Sequence, residues 1–183
     1  MLKLEGLGFS QAEIVKELSL KCACSERTVY GDFELASLPT EEEIDQLIAG
    51  CGRKTATFIQ VLKDTGARTA EASKIQWIDI DEKSCTVRIN HPVKGSLARI
   101  VKVTPRTIAM MNNLPKKGDY VFNTNAQTIR NLFDKQRGRI TRNLQNPRLR
   151  QIHLHTLRHW KATMEFHRTL NIKLVQQMLG HKS

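Results

Sequence analysis

The chain has 183 residues, with 29 Lys and Arg against 18 Asp and Glu, a formal net charge of +11 and an isoelectric point near 9.8. That length holds one domain with a real core plus a small appendage, and the basic excess points to a polyanionic partner such as nucleic acid. No apolar run approaches the roughly 18 residues of a membrane span and no charged-then-apolar leader opens the chain, so the sequence reads as cytoplasmic, with no membrane partner.

Residues 1–38 carry four Lys and Arg against six Asp and Glu, a net −2, so +13 falls on the remainder. Ser10, with Glu13 three residues on, predicts the start of a short helix bearing Ile14, Val15 and Leu18. Ser25 predicts the cap of a second helix bearing Val29 and Phe33. The pair reads as a helix-turn-helix-like unit. It either presents Arg27, Thr28 and Tyr30 to a DNA groove or has a protein-contact or vestigial role. Cys22, Cys24, Cys51 and Cys85 complete neither a disulfide framework nor a zinc-ligand pattern and read as small, mostly buried apolar residues.

Leu38-Pro39-Thr40, followed by three glutamates, marks a domain boundary, with Thr40 as N-cap and Glu43 closing a capping box. Apolar residues recur at helical spacing from Thr40 to about Asp64, and Gly66 ends that helical stretch. Arg68 and Glu71 then lie three apart on one helical face, either as a surface ion pair or as a phosphate ligand with its support. Two period-2 runs, Cys85–Ile89 and Ala98–Val103, flank a connection containing Lys94 and predict a hairpin or small antiparallel sheet. Tyr120-Val121-Phe122 predicts one more short strand.

Residues 126–145 predict a helix carrying Arg130, Lys135, Arg137, Arg139 and Arg142, and Arg148 and Arg150 prolong the basic tract past Pro147. With Asp134 the only acid between Arg130 and Arg150, these seven cations read as a surface for the DNA backbone. A helix through Trp160 and Phe166 follows, then another from about Ile172 that stops at Gly180. Overall the pattern is α+β, mainly α-helical with a small antiparallel sheet, in a domain spanning 39–183.

His155-Thr156-Leu157-Arg158-His159 places an imidazole and a guanidinium three apart at the start of a helix, with Leu179-Gly180-His181 returning later. Arginine grips phosphate oxygens in pairs, histidine exchanges protons near neutral pH, and a helix N-terminus favours an anion. Together these read as a phosphodiester site. A metal cluster of His153, His155, His159 and His181 finds no carboxylate or cysteine at ligand spacing, so no metal is expected.

In order, Thr65-Gly66-Ala67-Arg68 with Glu71, Lys94 in a β-turn, His155-x-Leu-Arg158-His159 and Leu179-Gly180-His181 resemble the catalytic domain of the tyrosine recombinases, the phage-integrase type, particularly archaeal integrases. The resemblance covers Leu38 to Ser183. It implies that Arg68 and Arg158 clamp the scissile phosphate, that Lys94 protonates the departing 5′ oxygen and that His155 takes the proton of an attacking phenol. His181 adds a hydrogen bond to the phosphate and Glu71 orients its neighbours. It implies double-stranded DNA as partner, no cofactor, and strand exchange through a 3′-phosphotyrosyl intermediate.

The family's nucleophile follows Leu-Gly-His, whereas Tyr30 and Tyr120 lie elsewhere and residues 182–183 are Lys and Ser. The expectation is therefore an incomplete catalytic domain that binds DNA and does not cut it unaided. In solution it would be a monomer or weak oligomer, from a family that assembles as tetramers on DNA. The alternative is a non-catalytic DNA-binding protein or regulator.

Overall fold

A computed structural model describes residues 38–93 and 95–181; the expected helix pair at 1–37 and the Lys94 position lie outside them. Thr40 opens α1 (Glu41–Gly50): its hydroxyl accepts from the Glu43 amide while the Glu43 carboxylate accepts from the Thr40 amide. This is the reciprocal cap read from the sequence. The helical stretch expected to run to about Asp64 is broken at Cys51 and Gly52, both extended, before α2 (Arg53–Thr65) begins. The break is held from outside. The Gly52 amide donates to Gln136 and the Arg139 guanidinium to the Gly50 carbonyl, and a side chain at position 50 would strike Ile140 at 2.7 Å.

Helix α2 is the centre of the domain that the described residues form. Phe58, Ile59, Val61 and Leu62 are fully buried, each contributing on the order of 1.5–3 kcal/mol of transfer free energy. Phe58 meets Phe122 edge to face, ring centres 4.8 Å apart. The helix is buried around most of its circumference, so its polar residues need internal partners. Thr57 and Thr65 donate to carbonyls one turn back, and Lys63 pairs with Glu41 and Asp45.

After α3 (Thr69–Ala72) and a single 3-10 turn come β1 (Ile80–Asp81), β2 (Thr86–Ile89) and β3 (Arg99–Lys102). They form one antiparallel sheet in the order β1-β2-β3, with Val87 opposite Val101. Val87 and Ile89, with Val101 and Val103, turn to the core, as period 2 requires. Tyr120 does not extend a strand; it forms an isolated bridge with Gln76. Helices α4 (Pro105–Asn112), α5 (Ala126–Asn143), α6 (Leu154–Thr169) and α7 (Ile172–Leu179) complete the order. Helix α2 packs against α1, α4, α5, α6 and β3. The architecture is thus mostly helical with a small three-stranded antiparallel sheet. No helix among the described residues is long and apolar enough to cross a membrane.

Candidate functional site

Gly66 ends α2 in the left-handed conformation, φ 61°. This turns the chain so that Ala67 is buried and Arg68, extended, enters α3. Glu71 sits three residues on, its side chain fully buried, and one oxygen accepts from the Arg68 amide at 3.0 Å. The same carboxylate pairs with the Arg68 guanidinium at 3.4 Å. Arg68 and Glu71 are therefore no mere surface pair. Serine 96, in the β2–β3 connection, contacts the Arg68 guanidinium, and the Val93 amide reaches Glu71 at 3.5 Å. Val93 and Ser96, within two sequence positions of Lys94, thus tie the β2–β3 connection to the Arg68–Glu71 pair.

Arg158 approaches from α6. It is 5% exposed. One terminal nitrogen donates to the Gly66 carbonyl at 2.7 Å, and the other to the Leu179 carbonyl at 2.9 Å and to His181 Nε2 at 3.2 Å. Gly180, left-handed at φ 71°, makes the turn that presents His181. Arg158 thus clasps the end of α2 and the end of α7 and sets His181 beside itself.

Burial and then the neighbouring Arg68 charge pull the Arg158 guanidinium down to about 10, which leaves it cationic at neutral pH. Burial, then Arg158, Arg68 and Arg99, hold the His181 imidazole below its ordinary value. Burial acts to raise the Glu71 carboxyl, but the Arg99 hydrogen bond, the Arg68 amide and the nearby cations outweigh it and keep the acid ionised. Three guanidinium groups around one carboxylate leave an excess of positive charge, a setting for an anion.

Arg99 is a member of this cluster that the sequence reading missed. Its side chain is 6% exposed and pairs with Glu71 at 2.8 Å. A signal was present: in the period-2 strand Arg99 shares parity with Val101 and Val103, both core residues, so an inward-facing cation was implied. His155 stands elsewhere on α6, exposed in its first turn and one turn before Arg158, with its ring edge-on to His159, centres 4.6 Å apart.

The seven cations from Arg130 to Arg150 divide into two groups. Arg130, Lys135, Arg139, Arg142, Arg148 and Arg150 are exposed, with Arg148 paired to the buried Glu43 at 2.7 Å. Arg137 departs from the expected surface. It continues the inward stripe Ile129, Phe133, Ile140 of α5 and donates to the Ile152 carbonyl and His153 Nδ1 while pairing with Asp134. Helical spacing, not charge, decides where it points. Among the described residues, no group of three or more His, Cys, Asp or Glu gathers to hold a metal.

Residues 39–183 match the phage integrase family, and the chain belongs to it. It is 30% identical over 134 residues to the prophage integrase IntF of Escherichia coli K12, covering 69% of this chain and 28% of IntF. It is 29% identical over 146 residues to the tyrosine recombinase XerA of Saccharolobus solfataricus, covering 78% of this chain and 47% of that protein. The chain thus spans less than half the length of either relative. Among solved structures, a XerA recombinase superposes with a TM-score of 0.66 at 20% identity, over 93% of this chain and 72% of that one. The Tn1549 transposon integrase in complex with transposon right-end DNA gives 0.69 at 15% identity, over 100% of this chain and 75% of that one. These likenesses establish the fold.

Proposed function

We propose that the chain is the catalytic portion of a site-specific DNA recombinase. In this reading it holds a phosphodiester of double-stranded DNA between Arg68, Arg158 and His181 while strands are exchanged. The observation that carries the reading is the clasp of Arg158 on Gly66, Leu179 and His181, which joins three separate family motifs at one point. An arginine so immobilised can stabilise charge growing on a phosphoryl group without reorganising.

In the proposed step a tyrosine phenolate oxygen attacks phosphorus and the bond to the 5′ oxygen breaks. The phenol proton passes to His155 and Lys94 protonates the leaving oxygen. The 3′-phosphotyrosyl ester conserves the bond, so a 5′ hydroxyl can reverse the reaction without a nucleotide cofactor. Neither Tyr30 nor Tyr120 matches the family's nucleophile position, so the phenol comes from outside residues 1–183. The exposed cations Arg130, Lys135, Arg139, Arg142, Arg148 and Arg150 bind the flanking backbone. Assembly on DNA, tetrameric in the lambda integrase bound to a Holliday junction, belongs to the same proposal, as does a cytoplasmic setting.

The test is to read the source gene past the Ser183 codon and express the whole product with nicked duplexes from the ends of its element. The expected result is a covalent adduct on a 3′ phosphate, lost in Arg158→Ala. DNA binding with no adduct would return the protein to the class of non-catalytic DNA-binding regulators.

A further inference from the structure

The Glu71 carboxylate accepts from the Arg68 amide and guanidinium, the Val93 amide and the Arg99 guanidinium, and the 2.8 Å bond from Arg99 is the shortest of the four. The other terminal nitrogen of Arg99 donates to the Leu97 carbonyl at 3.2 Å, and the Leu97 amide donates to the Gly180 carbonyl at 2.9 Å. Gly180 lies against the same guanidinium: a side chain there would come within 2.7 Å of Arg99 Nη1. One buried fork therefore touches the support of Arg68 on one side and the turn presenting His181 on the other. Its Nε is buried without a hydrogen-bond partner, an arrangement that stability alone does not favour.

We propose that Arg99 is a positioning residue of the phosphate site, acting through Glu71 on Arg68 and through Leu97 and Gly180 on His181. The inference rests on the DNA reading given above. Without Arg99, one Glu71 oxygen loses its charged partner and draws the Arg68 guanidinium toward itself, away from solvent and from any phosphate. Lysine at 99 restores a charge beside Glu71, but an ammonium cannot reproduce the planar fork that spans Glu71 and Leu97.

The experiment compares Arg99→Ala, Arg99→Lys, Arg68→Ala and the Arg68→Ala/Arg99→Ala double variant in the full chain, after thermal melting has shown that each folds. Binding to a short mixed-sequence duplex is followed over a salt series, and the Arg68 Nε–Hε signal is followed by NMR without DNA. Although Arg99 is buried, Arg99→Ala is expected to reduce the salt slope by about 1 unit, the loss of one phosphate contact. The double variant should then match Arg68→Ala alone, and Arg99→Lys should recover part of the slope. The Arg68 signal should shift in Arg99→Ala and return partway in Arg99→Lys.

Additive losses in the double variant, or an Arg68 signal unmoved by either change at 99, would overturn the positioning role. If Arg68→Ala itself leaves the slope unchanged, the DNA role of Arg68 fails. The NMR shift then decides the positioning role alone, a moved signal supporting it and an unmoved one overturning it.

Discussion

Arg158 Nη2 and His181 Nε2 lie 3.2 Å apart, and only the arginine can donate in that bond. The imidazole must therefore be neutral, with its proton on Nδ1, wherever the bond is made. Such a histidine leaves Nδ1–H as its only ring donor.

That assignment is open to direct measurement. His181 should show a pyridine-like Nε2 and a protonated Nδ1 at neutral pH in nitrogen-15 NMR, and should titrate below the ordinary histidine value, because burial and the Arg158 charge oppose protonation. With its folded value lowered, the folded chain binds fewer protons than the unfolded chain over this window. Its contribution to stability is complete above about pH 6.5 and is lost as pH falls toward the lowered folded value. Titration above the ordinary value would contradict the bond.

Arg158 holds two carbonyls that no other described group is seen to satisfy in its place. Arg158→Lys keeps the charge but cannot span Gly66 and Leu179 together. Urea denaturation should show a loss of about 2–4 kcal/mol, since buried acceptors are left unpaired. A cost under about 0.5 kcal/mol would mean that the clasp forms only with DNA bound.

The basic helix should separate into two behaviours. Lys135→Ala and Arg142→Ala, on one exposed face of α5, should each make the salt dependence of duplex binding shallower by about 1 unit and change stability by less than about 0.5 kcal/mol. Arg137→Ala should do the reverse, costing about 1–3 kcal/mol because it empties a buried site and strips the Ile152 carbonyl of its donor. Equal effects of all three on the salt slope would refute the distinction.

Much of this is legible in the sequence alone. The Thr40–Glu43 cap, the stops at Gly66 and Gly180 and the two main strands follow from local chemistry, in which residues three or four apart, or alternating, decide the backbone. The interruption at Cys51–Gly52 was not legible, because its partners Gln136 and Arg139 lie more than 80 positions away. Arg137 was misplaced because charge suggested the surface while helical spacing turned it inward. Arg99 was passed over, although strand parity with Val101 and Val103 placed it inward. The company of Arg158 was partly legible: its family motif singled it out, but nothing local shows that it would grip the carbonyls of Gly66 and Leu179.

Gly180 offers a sharp steric test. Its φ of 71° disfavours any side chain, and a methyl group there would approach Arg99 Nη1 at 2.7 Å and the Leu97 carbonyl at 2.9 Å. Gly180→Ala should cost about 1–3 kcal/mol in chemical denaturation, from backbone strain and displaced contacts. It should also shift the His181 ring signals more than those of His91, which stands exposed in the β2–β3 connection. Unchanged stability would show that the turn relaxes freely.

The Arg158 contacts to Gly66 and Leu179 close spans of 92 and 21 positions. No short stretch of the chain contains the cluster, so no locally folded fragment can assemble it, and the loop-closure entropy is met only when the whole helical body has formed. A partly unfolded or nascent chain still carries its surface cations but lacks the assembled arginine cluster, so any property that needs the cluster arises only once folding is complete.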